Sequence, residues 1–288
     1  MEWPRLPYYH VTRRIASGGM ANVYEGVDLR SGATVAIKEM NADSLKNKSV
    51  RENFKKTETE IYLYSDHPNI PKLVDFVELE YSDKVYIVME LIKGINLDTF
   101  VYQQYGLLPE QKALPMFLEI ADAIAYLHRR NILHLDIKMN NIMLQKDGRI
   151  KVIDMGVASR MGDVSMAGTY GYMPPEQILH KPCTRSTDVF ALGVVLYEML
   201  TAHRPFVVQG VKNDKEQYIK EMLRLIYDGA PPMQDFYPAI HPDLQAIVER
   251  AIYPDAAYRY QSCGDFMRTI EDYKHRHKIY RYENSNRR

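Results

Sequence analysis

Eight residues, His134-Leu135-Asp136-Ile137-Lys138-Met139-Asn140-Asn141, place an acid, a base two positions on and an amide three further. In a tight loop these three can converge on one small volume. The carboxylate of Asp136 can then accept a hydroxyl proton, and the ammonium of Lys138 can neutralise a moving phosphoryl group. The amide oxygen of Asn141 can ligate Mg2+. An ordinary helix-to-strand loop of polar residues fits the same string. The apolar flanks Ile132, Leu133, Ile142 and Met143 favour chemistry, because they partly bury three polar groups that then need partners. One strand later, Ile153-Asp154-Met155-Gly156 sets a carboxylate before a glycine, which suits a hard cation. A common Asp-x-Gly turn reads the same way.

Two earlier clusters are weaker alone. Ile15-Ala16-Ser17-Gly18-Gly19-Met20-Ala21-Asn22-Val23 is a small-residue loop whose backbone N–H groups could approach phosphate oxygens. A plain glycine hairpin explains it better. Val35-Ala36-Ile37-Lys38 ends a strand on a lysine, which can hold phosphates if an acid fixes its rotamer; a solvated lysine is the usual outcome.

The elements that must position these groups are readable from period and punctuation. His10 to Ala16, Asn22 to Asp28 and Thr34 to Met40 are β-rich runs separated by Gly18-Gly19 and Ser31-Gly32. Ser44 to Ser65 has the length and polarity of an exposed helix, stopped by His67-Pro68-Asn69. Leu73 to Glu80 and Lys84 to Met89 are further strands, the second alternating at Val85, Ile87 and Met89. Beyond Gly94, Pro109 to Arg130 carries Leu114, Phe117, Leu118, Ala121, Ile124, Ala125 and Leu127 at helical spacing. Ile142 to Leu144 and Ile150 to Ile153 are short strands. Helices follow at about Ser186 to Thr201, Asp214 to Tyr227, Asp243 to Ile252 and Ser262 to Tyr273. A strand-rich front and a helix-rich back predict an α+β protein in two lobes, joined through Glu90 to Gly94.

Composition narrows the function classes. Lys+Arg 37 against Asp+Glu 37 leaves no net charge, so nothing global argues for nucleic acid or an anionic membrane as partner. Cys183 and Cys263 stand far apart without a C-x-x-C, which argues against a disulfide framework or a cysteine zinc site and fits a reducing cytoplasm. Met1 to Arg5 has no apolar signal region, and Val189 to Leu200 is too short for a membrane span and carries Glu198. It reads as a buried core helix. Lys274 to Arg288 is locally basic and reads as a solvated helix end and tail.

Taken together, the glycine loop, the strand lysine, the H-x-D-x-K-x-x-N loop and D-x-G resemble the eukaryotic-type protein kinase family, its bacterial branch in particular, in order and spacing. Gly168 to Glu176 resembles the segment that closes that family's activation loop. Asp188 and Gly193 fit its central helix, and Pro254-Asp255 with Arg259 to Ser262 its closing motif. The likeness runs from about Tyr9 to about Tyr273. It implies a bilobal kinase domain at 1–273, with a β-rich lobe at about 9–89, a hinge at 90–94, a helical lobe at 95–273 and a basic tail at 274–288.

By the same resemblance Asp136 is the catalytic base or orients the attacking hydroxyl, and Lys138 sits on the γ-phosphate. Asn141 and Asp154 hold Mg2+, with Mn2+ as the alternative. Lys38 pairs with a helix glutamate: counting back from His67-Pro68 assigns Glu58, with Glu60 as runner-up. Ile15, Ala16, Gly18 and Gly19 cover the ATP phosphates. Val23 and Ala36 above and Met143 below sandwich the adenine, Met89 is the gatekeeper, and the backbones of Glu90 and Ile92 bond the purine edge. Glu176 and Arg259 form an ion pair bracing the helical lobe. Lys138 and Thr169 match serine/threonine rather than tyrosine specificity, so the expected partners are protein substrates, the chain itself among them.

Departures from the pattern are Ala16 and Ala21 at loop glycines, Met155 for phenylalanine, and Leu135 for an arginine that binds a phosphorylated loop in many relatives. The last bears on regulation. The rival readings are an ATP-binding pseudokinase scaffold and a small-molecule phosphotransferase. Pseudokinases usually lose a lysine, base or metal aspartate that this chain keeps. Small-molecule enzymes generally lack the peptide-presenting segment Gly168 to Glu176.

Overall fold

The computed structural model describes residues 3–18, 21–40, 66–79, 84–155, 158–164, 168–211 and 213–279. The helix expected over Ser44 to Ser65 lies outside them. The first third of the chain supplies a five-stranded sheet: β1 (Tyr9–Ser17), β2 (Ala21–Asp28), β3 (Thr34–Met40), β4 (Leu73–Glu78) and β5 (Val85–Glu90). The spatial order is β1-β2-β3-β5-β4 and every neighbour is antiparallel.

The sheet buries both faces. Ala36, Met40, Val85, Ile87 and Met89 feed the main core, while Tyr9, Tyr24, Val35, Ile37, Tyr86 and Val88 form a second cluster behind it. This corrects the one-faced alternation read for β5. Its intervening residues are also buried, because β5 is flanked by β3 and β4 and covered on each side. The second face is sealed by a polar knot. Glu39 accepts from Tyr24 (2.9 Å), Tyr86 (3.0 Å) and Lys84 (2.9 Å), which satisfies a buried carboxylate.

After β5 the chain crosses three residues into β6 (Gly94–Asn96), which pairs with β8 (Ile142–Gln145), itself paired with β9 (Ile150–Val152). A side chain at Gly94 would strike the Leu144 carbonyl, so this approach of β6 to β8 requires glycine. Asn96 then caps Leu97–Thr99, its side chain accepting from the Thr99 amide at 2.7 Å; six π-helical residues, Phe100–Tyr105, follow. β7 (Ile132–Leu133) pairs with β10 (Ser159–Arg160). β6, β7, β10 and the 97–105 segment were not anticipated.

The helices are α1 (Glu110–His128), α2 (Pro175–Ile178), α3 (Arg185–Thr201), α4 (Lys215–Asp228), α5 (Pro242–Ala251) and α6 (Cys263–Arg276). α3 is buried on every side from Ser186 to Thr201, as expected of a helix that is apolar all round. Each fully buried Leu, Val or Phe contributes roughly 1.5–3 kcal/mol, enough together for α3 to carry Asp188 and Glu198 into the core. α6 runs through Arg276, three residues into the segment read as tail. Among the described residues no helix is long and apolar enough to cross a membrane.

Candidate active site

The loop between β7 and β8 owes its shape to Asp188, in the first turn of α3. The amides of His134 and Leu135 donate to its two oxygens at 2.8 and 2.9 Å, and His128, the last residue of α1, adds Nε2 at 2.8 Å. Burial pushes the Asp188 carboxyl up. The hydrogen bond and charge of His128, with the His134 contacts, outweigh burial and hold it below the ordinary carboxylate range. Leu135 has φ of 62°, a conformation that costs a non-glycine residue about 1–3 kcal/mol. Asp188 grips its N–H, Gln177 donates to its carbonyl at 2.9 Å, and its side chain packs with Leu133 and Cys183. Together these hold the strained turn.

That turn delivers the polar groups. Asp136 Oδ2 accepts from Lys138 Nζ at 2.7 Å and from Asn141 Nδ2 at 3.0 Å, while Oδ1 accepts from the Thr169 hydroxyl at 2.7 Å. Lys138 also donates to Thr169 at 2.8 Å. Asn141 gives its amide hydrogens to Asp136, at Oδ2 and at the backbone carbonyl (2.9 Å), which turns its Oδ1 away. Thr169 arrives because Gly168 precedes it. Gly168 has φ of +141°, and a Cβ there would sit 2.9 Å from the Leu135 carbonyl and 2.8 Å from Gln177. The Asp136 and Lys138 side chains are 11% and 21% exposed, so these charge-assisted bonds are partly dry yet reachable.

Asp154 follows β9 with φ of 64°, and the neighbouring Ile153 amide donates to the Asn141 carbonyl at 2.8 Å. Lys38 reaches across from β3 to Asp154 Oδ1 at 2.8 Å. Lys38 is buried and Asp154 half exposed, so the buried ammonium has its counter-charge at the cleft. Glu58 and Glu60, the expected partners of Lys38, lie outside the described residues, as do Gly19 and Gly156.

The remaining predicted residues lie on or beside β1, β2, β3, β5 and β8 and in the residues after β5. Ala36 stands directly opposite Met89 in the β3–β5 register, both in the main core, and Val23 packs against that core. Met143 alternates with Ile142 and Leu144, which face the core, and so turns to the other side of β8. Ile92 is half buried between β5 and β6. The Glu90 amide donates to the Lys72 carbonyl at 2.9 Å, so any ligand contact at Glu90 must use its carbonyl. Ile15 and Ala16 are exposed on β1, Ala16 opposite Val23. The Gly18 amide closes the hairpin onto the Ala21 carbonyl at 2.9 Å. That amide therefore serves the turn in this conformation rather than an incoming phosphate.

Glu176 and Arg259 meet as a two-pronged pair at 2.7 and 3.0 Å. Arg259 places its other donors on the carbonyls of Ser186, Pro254 and Tyr253, which makes a buried guanidinium tolerable. Sequence reasoning missed the contact that anchors the connector: buried Lys151 on β9 donates to Glu90 at 2.9 Å and to the Ile70 carbonyl at 3.2 Å. It also missed His128 and Gln177. A lysine between Ile150 and Val152 in a buried strand was the one local signal.

Known proteins extend this picture. The protein kinase domain pattern matches residues 9–270. A probable serine/threonine-protein kinase of Streptomyces coelicolor is 36% identical over 284 residues, covering 94% of this chain and 41% of the relative. Serine/threonine-protein kinase PrkC of Bacillus subtilis is 32% identical, over 91% of this chain and 40% of its own length. Serine/threonine-protein kinase PknA of Mycobacterium tuberculosis is 31% identical, over 90% and 59%. The chain thus spans between two fifths and three fifths of the length of these relatives.

Proposed function

The chain belongs to the protein kinase family, and we propose that it transfers the γ-phosphate of ATP to serine or threonine hydroxyls of protein substrates, its own included. The observation that carries this reading is the convergence of Asp136, Lys138, Asn141 and Thr169 within mutual hydrogen-bond reach, opposite the Lys38–Asp154 pair. The serine/threonine class is supported by the names of the relatives and by Lys138 bridging Asp136 to Thr169.

In this reading Asp136 orients the substrate hydroxyl and takes its proton as the oxygen bonds to phosphorus and the bond to ADP breaks. Lys138 offsets the negative charge on the moving phosphoryl group. Lys38 holds the α- and β-phosphates, with Glu58 its assigned helix partner. Val23, Ala36 and Met143 enclose the adenine, Met89 closes its rear, and Glu90 and Ile92 offer backbone groups to its edge. Ile15, Ala16, Gly18 and Gly19 cover the phosphates.

The donor set fits a hard divalent cation. Asn141 Oδ1 is turned away from Asp136, and the Asp154 carboxylate stands half exposed at the cleft. Mg2+ held there would neutralise phosphate charge, and Mn2+ suits the same oxygens. We assign the β-rich lobe to about 9–89, the hinge to 90–94 and the helical lobe to 95–273. Two buried free thiols, Cys183 and Cys263, fit a reducing compartment, and the cytoplasm is our placement.

The test is mass spectrometry of the purified chain and a generic protein substrate after incubation with ATP and Mg2+. Phosphate on serine or threonine that disappears in Asp136→Asn is expected. No transfer at all, or transfer only to small molecules, overturns the reading.

A further inference from the structure

Where the first turn of α5 meets the end of α6, three side chains that play no part in the site above converge. His241 is the residue before α5, Asp243 lies in its first turn, and His277 follows α6. One ligand atom from each lies within 4.8 Å of the others. His277 Nε2 is 3.2 Å from Asp243 Oδ2, and His241 Nδ1 is 3.8 Å from Asp243 Oδ1. The two imidazole centroids are 4.1 Å apart. Ligand atoms about 2.0–2.1 Å from one tetrahedral zinc stand roughly 3.4 Å from each other, which falls between these spacings.

The wall behind the cluster is firm. Tyr273 is buried, its hydroxyl donates to Glu110 of α1 at 2.7 Å, and its ring lies 4.5 Å from that of His277 and 6.2 Å from that of His241. The front is open, with His241 and Asp243 nearly half exposed.

We propose that His241, Asp243 and His277 form a binding site for one divalent cation of the zinc class, which staples the start of α5 to the end of α6. Two imidazole nitrogens and one carboxylate oxygen suit Zn2+, whereas Mg2+ and Ca2+ take oxygen donors. Three protein ligands leave a fourth position for water. Two existing contacts must yield. His241 Nδ1 now accepts the Asp243 amide at 3.1 Å; a metal at that nitrogen takes the lone pair and leaves the amide, at an exposed helix start, to water. Arg276, 3.8 Å from Asp243 and largely exposed, swings into solvent. The site lies outside the ATP-binding reading and does not depend on it.

The experiment uses the full chain without a histidine tag, stripped with EDTA, in the absence of nucleotide. Calorimetric titration with Zn2+ is expected to give one site, and Tm to rise by about 5 °C at ~100-fold excess over Kd. EDTA reverses the rise, and Mg2+ does not reproduce it. His277→Gln and Asp243→Asn each weaken binding by about ten-fold or more and remove most of the shift. No zinc binding, or an equal shift in both variants, overturns the site. Should a variant fail to fold, diethyl pyrocarbonate labelling of the wild-type chain decides. Zn2+ must protect His241 and His277 in preference to exposed His10 and His275, and uniform labelling overturns the proposal.

Discussion

Glu198 sits in α3 with no exposed side-chain surface. Burial pushes its carboxyl up from the ordinary 4.5 to about 7, against the Tyr172 hydroxyl at 2.6 Å, Arg204 at 3.3 Å and the Tyr102 hydroxyl at 3.2 Å, which favour the charged form. The folded pKa exceeds the unfolded one, so between those values the native state binds more protons. Stability contributed by the protonated form is complete below about pH 4.5 and is lost as pH rises toward and through 7. Glu198→Gln keeps an acceptor for Tyr172 and removes the charge. A gap of 7 − 4.5, at about 1.36 kcal/mol per unit, puts the cost of the charge above pH 7 at roughly 3 kcal/mol. The advantage of the variant over wild type should therefore grow by roughly 2.5 kcal/mol between pH 5 and pH 8. At ~2 °C per kcal/mol for a chain of this size, the Tm difference should widen by about 5 °C. Paired melts in matched buffers measure it, and taking differences cancels the other titrating groups. A variant whose relative Tm falls as pH rises would refute the reasoning. Tyr172 and Arg204 would then outweigh burial, and the group would be a stabilised carboxylate.

Asp136→Asn should keep the fold and nucleotide affinity while lowering kcat by ~10²–10⁴-fold; Asp154→Asn should instead weaken Mg2+-dependent binding of a fluorescent nucleotide, and near-normal turnover in Asp136→Asn would contradict the assignment. Lys38→Met should abolish phosphoryl transfer yet shift the nucleotide-free Tm by only about 2 °C, because the Asp154 it deserts is half exposed and solvated. Arg259→Ala strips partly buried Glu176 of its fully buried, two-pronged partner and should cost roughly 3 kcal/mol in urea unfolding. Arg259→Lys should recover little of it, since an ammonium cannot reproduce the fork. Ser159 is buried in β10 with its hydroxyl on Asp163 at 2.8 Å, and Leu135 fills its position with apolar packing, so no arginine stands at position 135 to receive a loop phosphate. A Ser159→Ala, Ser165→Ala double variant should match the initial rate of phosphatase-treated wild type. A ten-fold deficit cured by phosphorylating the wild type, about 1.4 kcal/mol of barrier, would overturn this.

Most of the regular elements were legible because their signals are local. β3 has the limits read for it, Thr34 to Met40, and the long helices begin and end within a few residues of expectation. Capping residues and helical spacing act over one or two turns, so the sequence carries them directly. β6, β7 and β10 were not legible, since ladders of two or three residues exist only where a remote strand supplies the partner. The burial of Tyr86 and Val88 was missed for a similar reason: an apolar residue on the outer face of a strand does not reveal what covers it.

The chemical inventory was already in the sequence. Asp136, Lys138 and Asn141 lie within six residues of one another, and their convergence needs only a tight loop. What holds that loop in its strained form was not there to read, because Asp188 lies 53 residues from Leu135 and Gln177 lies 42 away. Lys38 and Asp154 are 116 residues apart; Arg259 and Glu176 are 83 apart, and only the family resemblance paired them in advance. A buried charge must be paired wherever it falls, so the sequence demands a partner for each of these groups. Which partner it receives depends on how sheet and helices pack, and the tertiary structure alone decided that.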